Sequence, residues 1–192
     1  MNCVGVYIYD SMVDWEITFA CSSLFDRNNG KKIVTIGETD RVITSSSCLK
    51  YLPDITVNEA LDSTCLDGLI IPGGFERADS YELSDLIQNL NDESKLLSAI
   101  CAGPVFLARA GVLRDKSYTT TLDREYFKST DITDPFPRDN YSEKDLVVDK
   151  NIITAKYNAF MEFAVEIRSW FGLYENIQMK KSDLDPFKKI YL

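Results

Sequence analysis

The chain has 192 residues, 45% of them hydrophobic, 11% aromatic and 27% charged, which suits one ordinary domain with a full core and is too apolar for a disordered chain. Its 21 Lys and Arg against 30 Asp and Glu give a formal charge of −9, so binding to nucleic acid or an anionic membrane through counterion release is not expected. Histidine is absent altogether, which excludes His-based triads, HExxH metal sites and imidazole general bases and leaves Cys, Asp, Glu, Lys and Tyr for any acid–base or nucleophilic work.

Cys3 to Tyr9 is a short β-branched and aromatic run that ends at Asp10-Ser11 and reads as a buried strand. It follows the N-terminal Met1-Asn2 without the basic and apolar regions of a signal peptide, so the expected location is the reducing cytoplasm. Apolar residues at Val13, Ile17, Ala20, Leu24 and Phe25 have helical spacing, and Asn28-Asn29-Gly30 supplies a stop. Lys32 to Ile36 is a second strand, and strand–helix–strand at this spacing predicts a parallel crossover.

Leu66 to Ile71 is a further buried run that ends in Pro72-Gly73-Gly74, a turn where a backbone can approach a ligand closely. Asp79-x-x-Glu82 resembles a capping box ahead of a helix that carries Leu83, Leu86, Ile87 and Leu90 on one face. Leu96 to Ile100 reads as a strand, followed at once by Cys101-Ala102-Gly103-Pro104 and a helix closed by Gly111. Tyr118 to Leu122 reads as a strand and Thr130 to Tyr141 as an irregular loop. Leu146 to Val148 and Ile152 to Thr154 flank a hairpin signal at Asp149-Lys150-Asn151. A closing helix buries Phe160, Phe163, Ala164, Ile167 and Phe171 before Gly172. The polar tail from Glu175 to Leu192 has Ile177, Leu184, Phe187, Ile190 and Leu192 spaced for a short docking helix. Residues 1–192 are expected to form a single domain, with 175–192 as a C-terminal extension.

The five cysteines, Cys3, Cys21, Cys48, Cys65 and Cys101, include no CxxC pair, so neither a disulfide framework nor a metal site is indicated, and no cofactor is expected. Cys3, Cys21, Cys48 and Cys65 read as small buried hydrophobes. Cys101 differs because it sits where a strand turns into a helix. There a helix N-terminus favours thiolate and its amides can form an oxyanion hole, with Gly74 as a natural second donor.

Ile71-Pro72-Gly73-Gly74, Ala99-Ile100-Cys101-Ala102-Gly103-Pro104 and Leu107-Ala108-Arg109-Ala110-Gly111-Val112-Leu113, in this order and spacing, resemble the ThiJ/PfpI superfamily. The likeness runs from the first strand through Asp14-Trp15-Glu16-Ile17 to Glu162-Phe163-Ala164. It implies an α/β three-layer sandwich with a mostly parallel central sheet, of the flavodoxin-like, class I glutamine amidotransferase-like kind, and a homodimer. It implies Cys101 as elbow nucleophile, oxyanion-hole amides at Gly74 and Ala102, and Glu16 as a protonated carboxyl that donates to the thiolate. The residues alone would read both Glu16 and Asp14 as solvated helix positions, and Asp14 keeps that reading. Phe75, Thr121 and Tyr157 are expected to line a small apolar pocket. Glu76, Asp123 and Glu125 are placed near the pocket by the same layout and read as surface residues.

Thr121 falls where many members carry a histidine, and threonine cannot usefully accept a proton near neutral pH. Glutaminase and peptidase chemistry are therefore not expected. The reading favoured is addition of the Cys101 thiolate to a small electrophile such as a dicarbonyl, amide or isocyanide. The alternatives are a non-enzymatic redox or stress-response protein whose Cys101 is oxidised to sulfenic or sulfinic acid, and a ligand-binding module with a silent site.

Overall fold

A computed structural model describes residues 3–25, 30–62, 65–78, 80–130 and 132–183. The strands read from their apolar runs form in place: β1 (Cys3–Tyr7), β2 (Lys32–Gly37), β6 (Leu66–Ile71) and β7 (Leu96–Ile100). Between β2 and β6 lie three pairs of residues in extended pairing, β3 (Ile43–Thr44), β4 (Lys50–Tyr51) and β5 (Ile55–Thr56), and the short helix α2 (Val57–Leu61). The hairpin signal becomes β8 (Leu146–Asp149) and β9 (Ile152–Ala155). The main sheet has seven strands in the order β5-β2-β1-β6-β7-β9-β8. All neighbours run parallel except β8, which is antiparallel to β9. β3 and β4 make a separate antiparallel ribbon.

Helices α1 (Trp15–Ser23), α3 (Tyr81–Asp92), α4 (Pro104–Arg109), α5 (Arg124–Thr130), α6 (Phe160–Trp170) and α7 (Ile177–Ser182) complete the chain. α1 packs on α6, while α3 packs on α2 and α4, so helices flank the sheet in a three-layer α/β arrangement. β1, β6 and β7 bury both faces, with Val4, Val6, Leu69, Ile70, Leu97 and Ile100 at 1% exposure or less. That is why they read as unbroken apolar runs rather than alternating ones. In a parallel sheet of this kind the loops leaving the strand C-termini gather at one pole.

Several expectations are corrected. α3 is capped by Ser80, whose hydroxyl accepts from Leu83 N–H at 3.0 Å. Asp79, the residue expected there, lies outside the described residues, as do Asn28 and Asn29 of the first helix stop and Leu184, Phe187, Ile190 and Leu192 of the tail. Tyr118 to Leu122 is no strand beyond a single bridge from Tyr118 to Tyr141. Its polar groups are used elsewhere: Thr119 N–H donates to Thr154 Oγ1 and Thr121 N–H to the Cys101 carbonyl, each at 2.9 Å. Phe25 is exposed rather than buried on the α1 face.

Asp14 overturns its solvated reading. It is 3% exposed and accepts hydroxyl hydrogen bonds from Ser45 at 2.9 Å, Ser47 at 2.6 Å and Tyr51 at 3.0 Å. It thereby ties the β3–β4 ribbon to the start of α1. Burial opposes its charge, but the Ser47, Ser45 and Tyr51 hydroxyls hold the carboxyl below its usual range. Asn at this position puts an amide N–H₂ among donors, so Asp14→Asn is expected to cost about 2 kcal/mol at pH 7. Because the native pKa is depressed, that difference should shrink as pH falls below the ordinary value of 3.8. Denaturant unfolding at both pH values checks it.

Candidate functional site

Cys101 follows the last residue of β7 and holds φ at +61°, a left-handed conformation costly for a side chain and characteristic of a nucleophile elbow. The surroundings hold it there. Cys101 N–H donates to the Ala155 carbonyl at 2.8 Å, and its own carbonyl accepts from Thr121 N–H and the Thr120 hydroxyl, each at 2.9 Å. The stretch expected to be a strand is thus the clamp on the elbow.

Glu16, in the first turn of α1, is 1% exposed. Its carboxylate accepts from Gly73 N–H at 2.7 Å and hydrogen-bonds the Cys101 thiol. Burial pushes the Glu16 carboxyl up to about 7, against the opposing Gly73 and Cys101 hydrogen bonds. Burial also pushes the Cys101 thiol up to about 12, helped by the charge of Glu16 and the hydrogen bond to it, while the Thr121 hydroxyl and Ala102 N–H work the other way. This corrects the expectation of a lowered thiol pKa. The first amides of α4 are spent locally, Gly103 N–H on Ile100, Val105 N–H on Ala102 and Phe106 N–H on Gly103, and Pro104 has none. The helix end therefore offers Sγ chiefly the Ala102 amide. The two acids are best described as one pair sharing a proton near neutral pH.

Gly73 forms the floor of this pair: a Cβ there would lie 2.7 Å from Cys101 Cβ and 2.9 Å from both Cys101 Sγ and Glu16 Oε2. At Gly74 a Cβ would meet the Tyr9 hydroxyl at 2.6 Å. Gly74 faces Met12 in an antiparallel bridge built from Val13 N–H to Gly73 O and Phe75 N–H to Ser11 O, so the Gly74 amide itself lies outside that pair. The structure thus brings Cys101, Glu16, Ala102 and Thr121 into contact and sets the Gly73-Gly74 turn against them.

The pocket expectation is met only in part. Thr121 reaches Sγ through its hydroxyl and also lines a cleft of about 530 Å³ with Thr120, Asp123, Arg124, Arg138 and Lys156. The lining residues are mainly of polar and charged types, with the ring of Tyr141 among them. Phe75 and Tyr157 are 74% and 53% exposed and do not line that cleft. Glu125 also lines it and pairs with Lys128 at 2.6 Å, while Asp123 accepts from Tyr126 N–H and Glu76 from the Ser11 hydroxyl. Of the other cysteines only Cys3 is buried, Cys21 and Cys65 are partly so and Cys48 is exposed, which corrects the shared reading of all four as core. Among the described residues no cluster of three or more Cys, Asp or Glu is placed to hold a metal. No helix among them is long and apolar enough to cross a membrane.

Comparison with known proteins places this arrangement. The model of the DJ-1/PfpI family matches residues 3–169. The protein named "Uncharacterized protease YoaZ" of Bacillus subtilis is 28% identical over 195 residues, covering 88% of this chain and 89% of its own. Protein dj-1beta of Drosophila melanogaster is 28% identical over 172 residues, covering 85% and 87%. Among solved structures, the DJ-1 superfamily protein Atu0886 from Agrobacterium tumefaciens superposes over 100% of both chains with a TM-score of 0.84 at 27% identity.

Proposed function

The chain belongs to the DJ-1/PfpI family, and from that membership we propose that it uses Cys101 as a nucleophile on a small electrophilic substrate, a dicarbonyl, amide or isocyanide. The observation that carries the reading is the hydrogen-bonded pair of Glu16 and Cys101 at a positive-φ elbow. The pair holds two protons below about pH 7 and one above it, and moving that one from sulfur to carboxylate creates the thiolate without imidazole. Sγ then adds to the electrophilic carbon, the amides of Gly74 and Ala102 receive the developing oxyanion, and Glu16 returns the proton. The chain contains no histidine, which argues against glutaminase or peptidase chemistry of the Cys–His kind. The reading includes a cytoplasmic location and a homodimer, and light scattering of the purified chain tests the dimer.

A second reading rests on the groups around Sγ. Glu16, the Thr121 hydroxyl and the Ala102 N–H all reach it, and the same donors suit the oxygens of a sulfenic or sulfinic acid in a redox or stress-response protein. Turnover of methylglyoxal and small amides separates the two. The enzymatic reading expects a turnover that Cys101→Ser abolishes and Glu16→Gln lowers. Equal turnover by Cys101→Ser would overturn it, whereas no turnover combined with selective peroxide oxidation of Cys101 favours the redox protein.

A further inference from the structure

At the opposite pole of the sheet a second pair of thiols meets. Cys3 is the first residue of β1, and Cys65 lies one residue before β6. Cys3 N–H donates to the Cys65 carbonyl at 2.8 Å, Cys3 stands opposite Leu66 in the parallel register, and the two thiols hydrogen-bond each other. Paired strands run roughly 4.8 Å apart and Cys65 is one residue, roughly 3.3 Å of strand, from the residue opposite Cys3, so the two Cα atoms fall within the separations of about 4.4–6.8 Å that a disulfide spans. The register shifts at this end of the pair, and Cys65 stands outside the strand, so strand alternation does not turn its side chain away from Cys3. We propose that Cys3 and Cys65 are a redox-active dithiol that closes to a disulfide under peroxide.

The two sulfurs are not equivalent. Cys3 is 6% exposed and its thiol is pushed up by burial and then by Cys65, whereas Cys65 is partly exposed. Cys65 is therefore the sulfur that meets oxidant first. Its thiolate attacks one oxygen of hydrogen peroxide, the O–O bond breaks, and the departing hydroxide leaves as water with a proton. Cys3 gives up its proton and attacks the Cys65 sulfenic sulfur, the S–S bond forms, and the sulfenic oxygen leaves as a second water. Two thiols lose two electrons and two protons, and one peroxide becomes two waters. Lys32, opposite Cys3 on β2, is a cation that favours the anionic form of that thiol.

The bond would staple the two strands that lead into the Cys101 site, since β1 precedes α1 with Glu16 and β6 precedes Gly73-Gly74. Cys101 lies beyond the far end of β7, about 16 Å of strand away, so the dithiol acts independently of the function proposed for Cys101.

The test uses the full-length Cys101→Ser chain, reduced, freed of reductant and treated with one equivalent of hydrogen peroxide. Thiols are then blocked with N-ethylmaleimide at acid pH before non-reducing digestion and tandem mass spectrometry. The expected product is a Cys3–Cys65 cross-linked peptide at the loss of two hydrogens, with a higher Tm that dithiothreitol reverses. Neither change should occur in the same chain carrying Cys65→Ser, or Cys3→Ala in its place. If Cys3 and Cys65 both stay separately blocked while Cys21 or Cys48 is oxidised, the proposal falls. It also falls if a bond forms only after denaturation.

Discussion

Alanine at Gly73 is expected to cost the fold about 2 kcal/mol and to cut any Cys101-dependent turnover about a hundredfold. The added methyl would stand 2.7 Å from Cys101 Cβ and 2.9 Å from both Sγ and Glu16 Oε2, closer than nonbonded carbon tolerates, so something must move. The elbow cannot yield easily, because Ala155, Thr120 and Thr121 hold both its amide and its carbonyl. What yields is the Gly73 turn or Glu16. Either shift lengthens the 2.7 Å bond from Gly73 N–H to Glu16 and parts the carboxyl from the thiol. A displacement of about 1 Å is enough for a loss of that size, since reacting groups must sit in near-attack geometry. Denaturant unfolding and single-turnover kinetics measure the two effects. Alkylation of the buried Cys3 serves as an internal control for global unfolding. Wild-type values in both measurements would mean that the floor accepts a methyl group and that the pair is not held by contact with Gly73.

The same geometry explains what could be read from sequence. β1, β6 and β7 were legible because a strand covered on both faces must be apolar throughout, and each ends in a turn residue or an elbow. Cys101 was legible from its place between such a strand and Gly103-Pro104. Glu16 was not legible from charge alone, yet it stands one residue before Ile17 and four before Ala20, both buried on the same helix. A carboxyl on the edge of an apolar face was the available signal. Asp14 carried none, because its donors Ser45, Ser47 and Tyr51 come from a ribbon of two-residue strands too short to show periodicity. For α2 the cue was present, as Thr56-x-x-Glu59 is a complete capping box. Tyr118 to Leu122 misled because β-branched residues suit a strand and suit equally a segment whose hydroxyls and amides close around a neighbouring turn.

Between pH 4.5 and 8 the main effect of pH on stability should come from Glu16. Its carboxyl rises from an ordinary 4.5 to about 7 in the fold, chiefly through burial. Below pH 4.5 both folded and unfolded chains hold this proton and the group contributes nothing to the slope. Between 4.5 and 7 the folded chain binds the proton while the unfolded chain has released it, so stability falls as pH rises. At about 1.4 kcal/mol per unit, the loss is about 3 kcal/mol, complete once pH passes 7. Glu16→Gln keeps the shape without the titration, so the variant should match the wild type near pH 4.5 and exceed it by about 3 kcal/mol at pH 8. The shared proton also shapes thiol chemistry. While the pair holds a single proton, the share of molecules with that proton on Glu16 and thiolate on Cys101 is fixed by an internal transfer and does not change with pH. Alkylation of Cys101 by iodoacetamide should therefore rise to about pH 7 and then level off, whereas an isolated thiol keeps rising through its own pKa. In Glu16→Gln the plateau should be replaced by a single thiol titration. A stability difference that stays constant from pH 4.5 to 8, together with one simple thiol curve in both proteins, would show that the two acids titrate independently and would remove the proton pair from the mechanism.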